Sequence, residues 1–197
     1  MITKYNDFKK VNEKIIAPPN IPNTFNFWHG GNLDEFNDVI SQKNGRYEFG
    51  AGLYLTTHYG TATKYAKGKR KLYLITVEKG VEIHDAFLDI NAVHTFIDSY
   101  CVIKSRKEIK NRLAKYIVDG KIKAFYLNNI VLNEKAVSPS NTKYLRQFFV
   151  DNGIDYELVN NPFGWGELMM VLYNMKKIVT TTVVTSKDKI EVFDLLQ

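Results

Sequence analysis

The chain has 197 residues, 45% of them apolar and 13% aromatic, with a net charge of +6. Those values describe one globular domain able to bury a core without staples, and exclude a disordered chain. The lone Cys101 excludes an intramolecular disulfide and a multi-cysteine metal site, and no apolar run approaches the roughly 20 residues that span a bilayer.

Residues 1–24 are polar and carry Pro18, Pro19 and Pro22, which predicts a helical or loose N-terminal arm followed by a loop. The first 14 residues hold no apolar segment of the kind a secretory signal needs. A cytoplasmic, reducing setting is therefore expected, with export by a signal-less route left open. From residue 25 to 197 the pattern reads as a single domain.

Phe25-Asn26-Phe27-Trp28-His29 alternates aromatic and polar residues, which predicts a strand ended by Gly30-Gly31. Leu33, Phe36, Val39 and Ile40 fall at helical spacing behind Asn32, a suitable N-cap. Gly50-Ala51-Gly52 opens a short strand, Leu53-Tyr54-Leu55-Thr56, residues 60–67 fit a helix, and Lys71 to Val77 is an apolar strand.

Residues 88–120 read as helical, with Leu113, Tyr116 and Ile117 on one face. Between Lys104 and Lys123 stand eight bases against two acids, so this stretch alone nets +6 and the rest of the chain is about neutral. A shorter basic run is Lys67, Lys69, Arg70 and Lys71. Such patches hold phosphates of a dinucleotide or a nucleic acid, or simply form a solvated face.

Ser140 or Asn141 caps a helix through Val150 that stops at Asn152-Gly153. A strand over Ile154 to Val159, a loop over Asn160 to Gly166 and a strand over Glu167 to Tyr173 follow. Ile178 to Thr185 is dominated by β-branched residues and is the clearest β signal. Short strands with segregated helices define an α+β class.

The candidate chemistry lies at strand ends. His29 closes a strand beside a glycine, which lets a ligand approach the backbone. Tyr54 sits on a strand opened by glycines, and Tyr65 follows 11 residues later on the next helix. Glu167 opens an apolar strand after a Gly-Trp-Gly turn, where packing gives no reason for an acid.

Taken in order, His29-Gly30, then Phe49-Gly50-x-Gly52-Leu53-Tyr54-Leu55-Thr56-Thr57, then Ala62-x-x-Tyr65-Ala66, this pattern resembles the diphtheria-toxin-like and poly-ADP-ribose-polymerase-like ADP-ribosyltransferases. Small bacterial or phage members are the nearest in look. The match covers residues 25–80 well and 140–180 more loosely. The resemblance implies a split β-sandwich with helices between the strands, NAD⁺ as co-substrate and no metal. It implies mono-ADP-ribosylation of a macromolecular acceptor, protein or nucleic acid, no membrane partner, and a neutralising antitoxin or inhibitor where the protein is a toxin. A toxin acting in a host would work in the host cytoplasm.

Position by position, the resemblance gives His29, Tyr54 and Glu167 as the catalytic triad. His29 would orient the adenosine ribose and the Gly30 backbone would clasp the nicotinamide amide. Tyr54 and Tyr65 would take opposite faces of the flat nicotinamide cation, which gains from π contact. Glu167 would bind the nicotinamide-ribose 2′-hydroxyl and stabilise positive charge as nicotinamide leaves, as a fixed carboxylate in a dry cleft should.

This chain departs from the family in three places. The hydroxyl residue eight positions after the first tyrosine is replaced by Ala62, leaving Thr61 beside it as a contact for NAD⁺. Counting back five from Asn174 gives Met169 in the glutamate's usual place; Glu167, two residues away, keeps the same strand face. With Met169 in that role the chain would be a weak or inactive NAD⁺ binder. Two residues before Glu167 stands Trp165, not the Glu or Gln of arginine- or asparagine-directed relatives. Phe163 and Trp165 would then meet the acceptor, as stacking surface or as loop core.

Three alternatives stay open. Water as acceptor would make the protein an NAD⁺ glycohydrolase. An RNA 2′-phosphotransferase would need paired histidines, and His58, His84 and His94 lack a matching glycine-rich context. A non-catalytic module would bind NAD⁺ or nucleic acid through the 104–123 patch.

Overall fold

Six strands carry the architecture, and the β-forming stretches read from the sequence supply most of them. In the computed structural model, which describes residues 14–33, 52–68, 70–160 and 166–195, these are β2 (Thr24–Gly31), β3 (Leu53–Thr56), β4 (Lys71–Glu78), β7 (Tyr156–Asn160), β8 (Leu168–Leu172) and β9 (Ile178–Val184). They pair in the order β7-β8-β3-β2-β4-β9, and every pairing is antiparallel. Among the described residues five α-helices accompany the sheet: α1 (Tyr59–Tyr65), α2 (Ile90–Tyr100), α3 (Arg106–Leu113), α4 (Ala124–Asn133) and α5 (Thr142–Asp151). Two small pairings stand apart from the sheet, β1 (Ile15–Ile16) with β10 (Lys189–Ile190) and β5 (Phe87–Asp89) with β6 (Lys121–Lys123). The α+β class expected from the sequence is what the chain forms.

The sheet is not flat. β2 and β4 pair along their whole length, from Thr24↔Glu78 to Gly31↔Lys71. β2 and β3 pair only at Trp28↔Thr56. Beyond the end of β4, Glu82 bridges to Tyr156 on the outer edge of β7. In a flat sheet that edge would lie five strand spacings from β4, about 24 Å. The chain from Glu78 to Glu82 can span only about 14 Å. The sheet therefore folds over along the weak β2/β3 seam, which brings the half β4-β2-β9 against the half β3-β8-β7. Phe25 of β2 and Tyr156 of β7 meet edge to face at 6.0 Å, although three strand spacings separate them in the sheet order.

The inner face of this fold is a dry core of Phe27, Leu53, Leu55, Tyr73, Ile75, Met170 and Leu172. Alternation sends the other side chains outward. On one half, Trp28, Leu72 and Leu74 pack with Ala62 of α1, with Ile16 of β1 and with Leu195. On the other half, Val171 and Tyr173 pack beneath α2 to α5 in the largest core cluster. Each half of the sheet thus has its own outer cover.

Several elements differ from the sequence reading. The stretch 88–120 is not one helical run, because Cys101 and Val102 leave α2 to pair with the segment after α4. Cys101 bridges to Val137, and the Val102 N–H donates to the Ala136 carbonyl. α3 ends at Leu113, so Tyr116 does not share its buried face and is 41% exposed. α4 has no counterpart in the sequence reading, although Ala124, Leu127, Asn128 and Val131 are buried at helical spacing. Ile15 and Ile16, within the expected arm, pair with β10, and Ile16 is buried. The helix expected over 33–43 lies almost wholly outside the described residues.

Candidate active site

The seam between β2 and β3 is where the sequence-derived residues gather. One pair, Trp28↔Thr56, ties the strands, and the next pairing in register would set Gly30 opposite Tyr54. A side chain bridges that place: His29 Nδ1 lies 2.8 Å from the Tyr54 carbonyl oxygen. A carbonyl accepts, so Nδ1 carries the proton, and the neutral ring then presents Nε2 as an acceptor. His29 is 7% exposed, and burial lowers its pKa from 6.5 more than the bond to Tyr54 raises it. The imidazole is therefore neutral at pH 7, the form able to accept from a hydroxyl.

Two glycines are needed here for different physical reasons. A Cβ on Gly30 would stand 1.9 Å from the Ala62 carbonyl oxygen, so the last turn of α1 lies directly on this strand. Tyr65, on that same turn, is 60% exposed, and Thr61 is partly exposed on the helix. A Cβ on Gly31 would stand 2.6 Å from His29 Nε2. The imidazole thus lies over the bare Cα of Gly31, two residues along the same strand face.

Tyr54 meets His29 through its backbone, not its phenol. Leu53 and Leu55 point into the inner core, so the Tyr54 ring takes the opposite face, where it is half-buried against the helical cluster. Thr56 shares that outer face, and so does Glu167 by the register of β3 with β8, in which Thr56 pairs with Met169. The register places Met169 beside Thr56 as well, so both candidate positions for the acid share one face.

Glu167 is 3% exposed, and its Oε1 accepts a hydrogen bond of 2.5 Å from Thr56 Oγ1. The same Oγ1 accepts from the His58 N–H at 3.0 Å, which fixes the direction in which Thr56 donates. Thr57 adds a second clamp, since its Oγ1 accepts from the Leu168 N–H and its own N–H donates to the Leu168 carbonyl. Sequence reasoning places Thr56 only within a strand and gives Gly31 no role beyond ending one. Both become visible once the β2/β3 and β3/β8 registers are known.

The outer strip of sheet between α1 and the helical layer thus carries Tyr54, Thr56 and Glu167, flanked by the turn that bears Tyr65. His29 approaches from the inner side of the seam. Phe163, Trp165, Phe49 and Gly50 lie outside the described residues. Of the other histidines, His58 bridges to Asp194 and His84 is held by Glu82, with Nδ1 2.6 Å from Oε1. Among the described residues no cluster of three or more His, Cys, Asp or Glu is set to hold a metal, and no helix is long and apolar enough to cross a membrane.

Behind Tyr54 lies a second buried carboxylate. Glu157 accepts from the Tyr173 hydroxyl and from Asn128 Nδ2, both at 2.8 Å. Burial, the largest effect, raises its pKa from 4.5 to about 7, opposed by the Tyr173 hydrogen bond. It faces the helical core, in register with Tyr54 across Val171 of β8.

No family model, no curated protein and no solved structure matches this chain.

Proposed function

We propose that the protein is a mono-ADP-ribosyltransferase that cleaves the nicotinamide–ribose bond of NAD⁺. The observation that carries this reading is a buried carboxylate, Glu167, anchored by the Thr56 hydroxyl on the strand whose Tyr54 carbonyl accepts from the His29 imidazole. That combination suits a substrate with ribose hydroxyls to be held and positive charge to be stabilised. The folded antiparallel sheet, open along its weakest pairing, supports the split-sandwich expectation.

His29, its Nδ1–H committed to the Tyr54 carbonyl, orients the ribose at the seam. Glu167, held by Thr56, binds the nicotinamide-ribose 2′-hydroxyl and faces the anomeric carbon. As the C–N bond breaks, nicotinamide leaves with the electron pair and positive charge grows on the ribose. A preorganised carboxylate in a site shielded from water lowers that barrier. The acceptor then supplies its electron pair to the same carbon and loses its proton. The exposed Tyr65 covers the nicotinamide from the α1 side, and Thr61 contacts the dinucleotide from the same helix.

NAD⁺ labelled in the adenylate, incubated with the protein and lysate fractionated into protein, DNA and RNA, tests the reading. Label attached to one fraction identifies a transferase; label recovered only as free ADP-ribose identifies a glycohydrolase. Glu167→Gln should slow nicotinamide release roughly a hundredfold or more while leaving NAD⁺ affinity within a few-fold. An unchanged rate would remove Glu167 from the mechanism.

A further inference from the structure

The basic stretch Lys104 to Lys123 is not uniformly free for a ligand. Lys110 pairs with Asp98 at 2.7 Å, Arg112 pairs with Glu134, and Arg106 Nε donates to the Cys101 carbonyl. Lys104, Lys107, Lys115, Lys121 and Lys123 remain exposed. Two of these neighbour aromatic rings, Lys115 beside Tyr116 in the chain and Lys123 opposite Phe87 in the β5/β6 pairing, and Lys121 lies two residues before Lys123 on β6.

The rings form a continuous row. Tyr116 stacks on Tyr126 with centroids 4.1 Å apart and planes 15° from parallel. Tyr126 touches Phe125 at 6.0 Å, and Phe125 stacks on His84 at 4.3 Å. Phe87, opposite Lys123 in the β5/β6 ladder, is 56% exposed and lies under the Lys123 ammonium at 5.8 Å. Tyr116 is 41% exposed, and the His84 side chain is 43% exposed. Folding thus leaves Phe87, Tyr116 and the His84 ring partly in water although apolar surface would gain from burial, about 25 cal/mol for each Å² removed.

Acids stand among these lysines, and Asp89 lies directly opposite Lys121 in the β5/β6 ladder. The Glu82 carboxylate is taken by His84 and by the Leu158 N–H, and Asp89 Oδ1 caps α2 through the Asn91 and Ala92 N–H groups. Asp85, Glu108 and Asp119 are exposed singly. Lys115 and Lys123 flank the row of aromatic rings, Lys123 directly over Phe87. Single-stranded nucleic acid matches both features, since bases stack on rings whatever their identity and phosphates pair with lysine. An acidic peptide would use the lysines alone.

We infer that the Tyr116–Tyr126–Phe125–His84 row, with Phe87 and Lys115, Lys121 and Lys123, is a binding surface for single-stranded nucleic acid. It is separate from the β2/β3 seam and stands whether or not the protein acts on NAD⁺. The test is fluorescence anisotropy without NAD⁺, using labelled mixed-sequence RNA and DNA single strands of about 16 nucleotides, the matching duplex, and polyglutamate as competitor.

The wild-type protein should bind the single strands more tightly than the duplex, and the RNA and DNA arms show which sugar is preferred. Tyr116→Ala and Phe87→Ala, both at exposed rings, should each weaken binding roughly fivefold or more, while Tyr116→Phe retains it. Lys121→Glu with Lys123→Glu should also flatten the dependence of log affinity on log salt, by about 0.7 for each phosphate no longer neutralised. Melting curves confirm that each variant is folded. The inference is overturned if no single strand binds at low salt, if both ring variants bind like the wild type, or if polyglutamate displaces the strand as well as an unlabelled strand does.

Discussion

His29 and Gly31 act as one unit. The strand period of two puts both on the same face, and the ring occupies the space where any other residue at position 31 would carry a Cβ, 2.6 Å from Nε2. Gly31→Ala should therefore push the imidazole off the Tyr54 carbonyl and towards water. A displaced ring loses the desolvation that lowers its pKa, so its titration, followed by NMR of the ring proton, should move up towards 6.5. NAD⁺ affinity should fall with it. If neither the titration nor the affinity changes, Gly31 has no part in positioning His29. Thr56 is the corresponding partner of Glu167: a short hydroxyl with a fixed proton direction holds a buried acid in place.

At the scale of elements, the site depends on how closely α1 sits on β2. The Ala62 carbonyl, 1.9 Å from where a Gly30 Cβ would be, is backbone and cannot swing away. Gly30→Ala should cost about 1–3 kcal/mol or more, because either the strand or the helix must shift. Gly60, on the first turn of the same helix, is the natural control, since a Cβ there meets nothing within 4 Å. Gly60→Ala should stabilise by about 0.5–1 kcal/mol through helix propensity alone. Chemical denaturation of both variants measures the contrast, and equal midpoints would show that the α1 contact is not tight. The ends of the helices are also set by backbone contacts. α2 stops where Cys101 and Val102 are drawn into extended pairing, a choice that apolar periodicity does not reveal.

For the molecule as a whole, the buried Glu157 couples folding to pH. In the unfolded chain its carboxyl titrates near 4.5, whereas in the fold it is raised to about 7. Between those values the folded state holds a proton that the unfolded state has released, so stability is highest below 4.5 and falls as pH rises to 7. The full effect is on the order of 3 kcal/mol. His29 acts in the opposite sense: its lowered pKa makes stability rise with pH just below 6.5. Comparing Glu157→Gln with the wild type cancels that contribution. Melting temperatures from pH 5 to 8 should fall less steeply in Glu157→Gln, whose side chain still accepts from Tyr173 and Asn128. Parallel curves would mean that Glu157 is ionised in the fold throughout.

The sequence by itself determined the six strands of the main sheet, because their period of two, their β-branched residues and their bounding glycines are local properties. It also singled out His29 and Glu167 as polar residues at the ends of apolar strands, and Gly30, Tyr54 and Tyr65 through the spacing that carries the resemblance. What only the tertiary structure decided is which of them meet. The fold at the β2/β3 seam, which turns one sheet into two facing halves, follows from a connection too short for a flat sheet and from a bridge 74 residues away in the chain, Glu82 to Tyr156. That bend brings the His29 ring to the Tyr54 backbone and sends the Tyr54 phenol to the other face. Likewise Thr56 anchors Glu167 across 111 residues of sequence, and Lys123 meets the Phe87 ring only when β5 and β6 pair. Local pattern fixes the period of each element; register and closure are set by contacts between elements far apart in the chain.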